Sequence, residues 1–345
     1  MTTALILVYW ENGPAGVVEN GHIPLGAPKR CLNINLRHQA SCRSGNKPII
    51  FNFQKGEFFV NTITLKNRSP LNFVLLLFAL SIPLWMIGAI YDVQLFPGFQ
   101  LFQLPLAMPA VAALILIYGE GGRNGVFALL KRTYDFRNIK SKIWYLPILL
   151  TYPSIGFLDY LLQRMAGASF PELHFSLPIF LGYSTVFFLT YGEELGLTGY
   201  AVDRLQQRYS ALTSGILLGL VWAGYHIPSF IISGYYSAEW IFWHALYTIV
   251  GRVLFVWVYN NSGKSLFSMA VLHSTFGLFW ILLPTTDNLQ KAPSYYDPRI
   301  AAFIAFSYVA MVTFLWGPKT LAQYRFARPN KPRAADKKQL VTTGR

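Results

Sequence analysis

Long apolar stretches dominate this chain, and shorter polar segments separate them. A membrane-spanning helix needs about 20 mostly apolar residues. We find eight segments of that kind: Asn72–Tyr91, Leu101–Tyr118, Ile143–Leu162, Phe175–Glu194, Leu212–Ile232, Ala238–Tyr259, Leu266–Pro284 and Ile300–Trp316. The pattern therefore predicts an all-α, polytopic membrane protein with about eight transmembrane helices.

Three regions follow from the same pattern. Residues 1–69 are rich in Gly and Asn and predict a weakly structured N-terminal tail, in which Pro48–Leu65 alternates like a strand or hairpin. Residues 70–318 form the transmembrane domain, and residues 319–345 form a basic tail. Between the second and third spans, Gly125–Ile139 is amphipathic and basic, so we expect it along the cytosolic headgroup layer.

Composition supports a membrane protein and excludes a disordered chain, a coiled coil or an ordinary cytosolic enzyme. Hydrophobic residues make up 53% of the chain and charged residues 13%, whereas soluble domains have about 25% charged residues. Of the 29 Lys and Arg residues, 25 lie in the tails and in alternate loops, which predicts that both termini are cytosolic. The expected location is the cell membrane, in a bacterial plasma membrane.

The net charge of +14 does not indicate nucleic-acid binding. The basic residues lie beside apolar runs, where anionic lipid headgroups are the expected partner. We therefore predict no nucleic-acid partner.

A few ionisable side chains fall inside the predicted spans. A charge at the centre of a membrane helix costs roughly 2.5–3.5 kcal/mol on insertion scales, so such residues are functional candidates. Glu193 and Glu194 end span four, His226 lies in span five and His273 in span seven. Three further ionisable residues lie in the spans: Asp159, His244 and Arg252. We expect them to make packing contacts, and contacts among the three are one alternative.

Carboxylates and imidazoles are the groups that hydrolysis needs. A carboxylate deprotonates a water, and an imidazole binds a metal or a developing oxyanion. Because adjacent helix residues point about 100° apart, only one of Glu193 and Glu194 faces the site squarely. His226 lies about 21 Å along its span and His273 about 10 Å along its own. The two rings therefore meet only if span five begins outside the hydrocarbon layer or tilts strongly.

Three motifs in this order resemble the CPBP intramembrane proteases, which include the type II CAAX prenyl endopeptidases and bacterial relatives linked to bacteriocin processing and immunity. The motifs are EELGLT from Glu193, WAGYH from Trp222 to His226, and HSTFG from His273 to Gly277. The core of the resemblance covers residues 176–284.

The resemblance implies a role for each matching residue. Glu193 matches the glutamate that activates the attacking water, and Glu194 matches its supporting partner. His226 and His273 match the two histidines, and Trp222 holds the aromatic position. Family members are described both as metalloproteases and as metal-independent glutamate proteases. Two alternatives therefore stay open: a zinc or other divalent ion held by His226 and His273, or no metal at all.

Two positions depart from the family pattern. Thr198 stands where the family has arginine, and Gly277 stands where it usually has asparagine. Threonine offers only a hydroxyl, and glycine offers no side-chain donor for an oxyanion. Arg252 and Arg204 are the candidates to replace the missing cation.

The resulting prediction is an endopeptidase that hydrolyses peptide bonds of a membrane-embedded or lipidated peptide. Its water is activated by glutamate and histidine. The alternative is an inactive homologue that acts as a membrane scaffold or immunity-type protein, which Thr198 and Gly277 favour. A transporter would show repeated halves, and we find no internal repeat.

Overall fold

Two units make up the chain, residues 1–68 and 69–345. The computed structural model describes residues 6–10, 13–18, 34–35, 39–44, 47–54, 57–61, 69–96, 99–170, 188, 190–277, 292 and 295–326. The predicted three-part division of the chain has no independent test here and stays a prediction.

Six strands lie among the described residues of the first unit. β1 (Ile6–Trp10) pairs with β2 (Gly13–Val18). A four-stranded antiparallel meander follows, and its strands are β3 (Ile34–Asn35), β4 (Gln39–Ser44), β5 (Lys47–Gln54) and β6 (Glu57–Asn61). The β5–β6 hairpin lies within Pro48–Leu65, where residue alternation predicts a strand or hairpin. The rest of the meander was not predicted from the weak patterning of this region.

The second unit is helical. Its helices are α1 (Pro70–Ile90), α2 (Met108–Lys131), α3 (Tyr145–Met165), α4 (residues 190–206), α5 (Ala211–Ser233), α6 (Ala238–Asn261), α7 (Leu266–Phe276) and α8 (Pro298–Trp316). Two short strands, β7 (Gln94–Phe96) and β8 (Phe99–Gln100), follow α1. Short 3-10 segments at Leu101–Ala107, Arg132–Asn138 and Lys142–Trp144 flank α2 and lead into α3.

Six of the described helices are long and apolar enough to cross a membrane, and they correspond to six predicted spans. The helical, polytopic architecture is therefore confirmed. Most of predicted span four and the second half of span seven lie outside the described residues. The count of eight spans and the cytosolic termini consequently stay predictions.

Helix boundaries follow local capping chemistry. Ser210, Ser237 and Ser265 precede α5, α6 and α7, and each hydroxyl accepts the backbone N–H three residues later at 3.1 Å. At its C-terminal end, α5 stops at Gly234, whose φ of 70° suits glycine.

Helix α6 is the most deeply buried of the six long helices. The buried share of its apolar segment is 61%, against 22–33% for the other five. It packs mainly against α5 and α8. Arg252, which is fully buried in the second half of α6, must therefore find a partner within the protein.

Candidate active site

Helix α4 carries both glutamates and changes its winding directly after them. Residues 190–196 are α-helical, Leu197–Val202 forms a π turn, and Asp203–Gln206 returns to α geometry. Single π turns inside α-helices are frequent at functional sites. The apolar run LTGYAV does not signal this change in the sequence.

Glu193 faces helix α5. Its Oε2 accepts a hydrogen bond of 3.0 Å from the Trp222 indole Nε1–H and lies 3.9 Å from the His226 Nε2. The residue is 3% exposed. Among the described residues, no side chain hydrogen-bonds to Oε1 of Glu193. That oxygen is therefore available to a water or a substrate.

His226 is held in one tautomer. Its Nδ1 lies 2.8 Å from the Trp222 backbone carbonyl, one turn earlier on α5. Because a carbonyl only accepts, Nδ1 carries the proton and Nε2 presents a lone pair towards Glu193. The His226 side chain keeps an exposed fraction of 22%, so this edge of the site is accessible.

Glu194 points to a different set of partners and is fully buried. Arg252 on α6 donates to both of its oxygens, at 2.7 and 2.9 Å. The Thr198 hydroxyl donates to Oε2, and the His273 Nδ1–H donates to Oε1 at 2.9 Å. Both oxygens of Glu194 are therefore occupied, and this carboxylate orients its neighbours rather than binding water.

Thr198 links the buried ion pair to the helix that carries it. Its hydroxyl donates to Glu194 and accepts from Arg252 Nη2 at 2.9 Å. The missing cation at position 198 is thus supplied from α6 by Arg252. Arg204, the other candidate, pairs with Glu120 on α2 at 2.6 Å instead.

Both imidazoles lie against Trp222. The Trp222 ring centroid is 5.9 Å from that of His226 and 5.0 Å from that of His273. Phe255 and Phe276 complete the aromatic wall, with centroids 5.4 and 5.3 Å from Trp222. Both histidines therefore contact one indole, although their positions along the predicted spans differ.

The start of helix α7 is covered by another segment of the protein. Ser265 and Leu266 are fully buried, and the segment Arg132–Asn138 packs against this helix. Asp135 accepts from Ser265 Oγ at 2.7 Å and from the backbone N–H groups of Leu266 and Phe267 at 3.0 and 3.1 Å. These contacts fix the first turn of the helix that carries His273.

The remaining predicted residues have other surroundings. Gly277 is the C-cap residue of α7. A Cβ at this position would have no neighbour within 4 Å among the described residues. Asp159 accepts from Gln163 and from the Asp297 backbone. His244 Nδ1 lies 2.8 Å from the Tyr296 hydroxyl. Asp159, His244 and Arg252 thus make contacts within the protein, as expected, and the hydrogen bonds described here join each of them to a different partner.

A metal centre receives partial support from the donor chemistry. Each histidine uses Nδ1 for a hydrogen bond to an oxygen and keeps Nε2 free, which is common for metal-bound imidazoles. Among the described residues, however, no group of three or more His, Cys, Asp or Glu side chains is placed to hold an ion. The described residues do not fit a three-ligand metal site, and a metal at His226 and His273 stays a prediction.

Sequence reasoning missed the polar residues that brace this site. Asp135 caps α7 from 130 positions away. Arg132 lies in the same 3-10 segment and bonds to the π turn of α4. Both belong to Gly125–Ile139, which was predicted as a headgroup-facing segment. Their spacing to the glutamates carries no signal, because the contacts are made only in the folded bundle.

Comparison with known proteins supports the resemblance. Residues 175–279 match the family of type II CAAX prenyl endopeptidases, Rce1-like. A CAAX prenyl protease 2 from Methanococcus maripaludis is 28% identical over 241 residues, which is 64% of this chain and 88% of the relative. The predicted resemblance to this protease family is confirmed. The relative comes from an archaeon, and a bacterial origin of this chain stays a prediction.

Proposed function

We propose that this chain is an intramembrane endopeptidase that hydrolyses a peptide bond of a membrane-embedded or lipidated peptide. One observation carries the proposal: the Glu193 carboxylate and the lone pair of His226 Nε2 face each other at 3.9 Å in a largely buried site. A single water can contact both groups, because each hydrogen bond to it spans about 2.8 Å. The match of residues 175–279 to a protease family supports the same reaction.

Glu193 acts as the general base. The water donates one proton towards Glu193 and the other towards Nε2 of His226, which leaves an oxygen lone pair for the scissile carbonyl carbon. As the carbon–oxygen bond forms, Glu193 takes one proton and the carbonyl oxygen becomes an oxyanion. The indole N–H of Trp222 fixes the carboxylate throughout.

His273 stabilises the oxyanion. Its Nδ1–H is committed to Glu194, so in the imidazolium form Nε2–H is the donor left for the substrate. When the tetrahedral intermediate collapses, the carbon–nitrogen bond breaks and Glu193 returns its proton to the leaving amine. The second proton of the water stays on the new carboxyl group until it is released to solvent, so the products are a free carboxylate and a free amine. No covalent intermediate with the enzyme forms.

Glu194 and Arg252 act as a positioning pair. Their bidentate contact is fully buried, and it leaves Glu194 no oxygen for water activation. Removing either partner would leave an unpaired charge in the core, which is strongly unfavourable. This mechanism uses only the protein's own acid, base and hydrogen-bond donors and has no step that a metal must supply.

The substrate class is proposed from two features. The basic segments beside the helices favour contact with anionic lipid headgroups, which supports a substrate that is itself held at the membrane. The archaeal relative is named a CAAX prenyl protease. A prenylated peptide with a C-terminal CAAX sequence is therefore the first probe, and a transmembrane peptide without a lipid is the second.

The decisive experiment compares Glu193→Gln with the wild type in vesicles of anionic lipid. The substitution keeps the size of the side chain and removes the base. Cleavage, followed by mass spectrometry of both probes, should fall by at least about a thousandfold. Glu239→Gln is the matched control, because Glu239 is exposed on the far part of α6 and should leave cleavage unchanged. Full activity of Glu193→Gln would end the proposal.

A scaffold function is the second candidate, and one observation favours it. Position 277, where the family usually has asparagine, contributes no side-chain donor. If the wild type cleaved neither probe, and if the wild type and the Glu193→Gln variant bound the probes equally well, a binding role would be supported over catalysis.

A further inference from the structure

Two arginines, one on α4 itself and one on the segment after α2, donate hydrogen bonds to backbone carbonyls of the π turn. Arg132 Nη1 donates to the Gly199 carbonyl at 3.1 Å, and Arg204 Nη1 donates to the Tyr200 carbonyl at 2.7 Å. These are successive carbonyls within Leu197–Val202. In a π turn, backbone carbonyls bond to the N–H five residues on instead of four. The two guanidinium groups each add a charged donor to one of these carbonyls, which stabilises the turn in this winding.

Each arginine is itself anchored to a different helix. Arg204 pairs with Glu120 at 2.6 Å and stacks 3.7 Å above the Tyr200 ring, whose hydroxyl donates to Glu120 at 2.8 Å. The π turn is therefore tied to α2 on this side. Charge-assisted contacts of this kind are stronger than neutral hydrogen bonds.

The second anchor runs to α6 and the loop after it. Arg132 Nη2 donates to the Tyr259 hydroxyl at 2.7 Å, and that hydroxyl donates to Asp203 Oδ2 at 2.9 Å. Lys264 Nζ donates to the other Asp203 oxygen at 2.7 Å. Tyr259 lies two turns after Arg252 on one face of α6. Residues on this face therefore hydrogen-bond to α4 on both sides of the π turn, at Glu194 before it and at Asp203 after it.

The winding of this turn decides where the glutamates point. An extra residue within a turn rotates the part of the helix before it by about 100° relative to the part after it. If Leu197–Val202 rewound as an α-helix while Asp203 kept its contacts, Glu193 would turn away from Trp222 and Glu194 away from Arg252. The geometry of both carboxylates depends on the π turn.

We propose that Arg132 and Arg204 are positioning residues, which fix the π winding of α4 and thereby aim Glu193 and Glu194. Neither side chain reaches the reacting atoms, because both act through backbone carbonyls of the turn. This inference rests on the proposed function for its catalytic consequence. Its structural part, the aim of Glu193 at Trp222, can be measured without any substrate.

The structural test reads the Trp222 indole directly. In protein labelled with ¹⁵N-tryptophan, the Trp222 Nε1–H resonance is assigned with Trp222→Phe and reports its bond to Glu193. Arg132→Ala and Arg204→Ala should each move this resonance towards the position seen in Glu193→Gln. Arg132→Lys, which keeps the charge and one donor, should move it less. Arg123→Ala is the control, since Arg123 is exposed on α2 and should leave the resonance in place.

The activity test uses the same variants. Misplaced catalytic groups cost up to about a hundredfold in rate, so Arg132→Ala and Arg204→Ala should lower kcat by tenfold to a hundredfold with KM nearly unchanged, and Arg132→Lys should recover part of the loss. An unchanged Trp222 resonance in both alanine variants would overturn the inference. If the alanine variants moved the Trp222 resonance but the wild type cleaved neither probe, the positioning role of Arg132 and Arg204 would stand. Only the proposed function would then be refuted.

Discussion

Arg252 on α6 donates two parallel hydrogen bonds to Glu194 on α4, and neither side chain is exposed to solvent. The two residues are 58 positions apart. The same carboxylate accepts from His273, and the same guanidinium donates to Thr198. A single ion pair therefore joins α4, α6 and α7, and it sets the positions from which Glu193 and His273 act.

Breaking this pair on one side should be costly. Arg252→Met leaves the Glu194 carboxylate buried without its main partner, and we expect a loss of about 3–5 kcal/mol in the free energy of unfolding. The double variant Arg252→Met with Glu194→Gln removes both charges and should recover most of that stability. Unfolding in mixed detergent micelles measures both. A single variant as stable as the wild type would contradict the assignment of Arg252 as the counter-ion.

Cleavage should respond differently from stability in these variants. The double variant still lacks the carboxylate that fixes His273 at 2.9 Å, so its cleavage rate should stay low although the fold is restored. Recovery of cleavage together with stability would show that the pair acts only in folding.

A substitution at position 277 tests whether an added side-chain donor raises the cleavage rate. A Cβ added at Gly277 would have no neighbour within 4 Å among the described residues. The φ of Gly277 is −93°, which suits any residue. Gly277→Asn should therefore fold normally and add a donor near the site, and the cleavage rate should stay equal or rise. Gly219→Ala is the contrasting variant, because its Cβ would lie 2.5 Å from the Ile249 carbonyl and should lower stability. Misfolding of Gly277→Asn would argue against this geometry.

Metal removal tests whether cleavage by this chain needs a divalent ion at His226 and His273. The mechanism proposed here relies on Glu193, His226 and His273 without an ion, so exhaustive treatment with a membrane-permeant chelator should leave the cleavage rate unchanged. The measurement needs an added-back zinc arm, since a rate that falls with chelator and returns with zinc would require a metal at the two histidines.

Local patterns were enough to predict most of the helical unit. Uninterrupted apolar runs predicted α1, α5, α6 and α8 to within a few residues, because a helix is the structure that satisfies every backbone group in lipid. The rarity of ionisable residues in the predicted spans also singled out Glu193, Glu194, His226 and His273. Around a single indole, Trp222, the structure brings these groups together.

Long-range polar contacts could not be predicted in the same way. Arg252 was only one of two candidates for the missing cation, since nothing local distinguishes it from Arg204. The π turn at Leu197–Val202 has the composition of an ordinary apolar helix, and Arg132 and Arg204 bond to it only in the folded bundle. Such features arise from packing between distant segments and leave no periodic signal.

Asp135 provides the last test, because it controls the helix that carries His273. Its carboxylate accepts two backbone N–H groups and the Ser265 hydroxyl at the start of α7, where a negative charge also meets the positive end of the helix. Asp135→Asn keeps the shape but loses charge and acceptor capacity, so unfolding free energy should fall by about 1–2 kcal/mol. The cleavage rate should fall as well, since a loosened α7 misplaces His273.

Asp92→Asn is the matched control, because Asp92 is an exposed carboxylate that accepts from Gln100 far from α7 in sequence. It should change neither unfolding nor cleavage. If Asp135→Asn lost stability but cleaved at the wild-type rate, α7 would hold His273 without its cap, and the contacts of His273 with Glu194 and Trp222 would be sufficient to position it. If it lost neither, the buried start of α7 would not depend on Asp135, and the segment Arg132–Asn138 would act on the site through Arg132 alone.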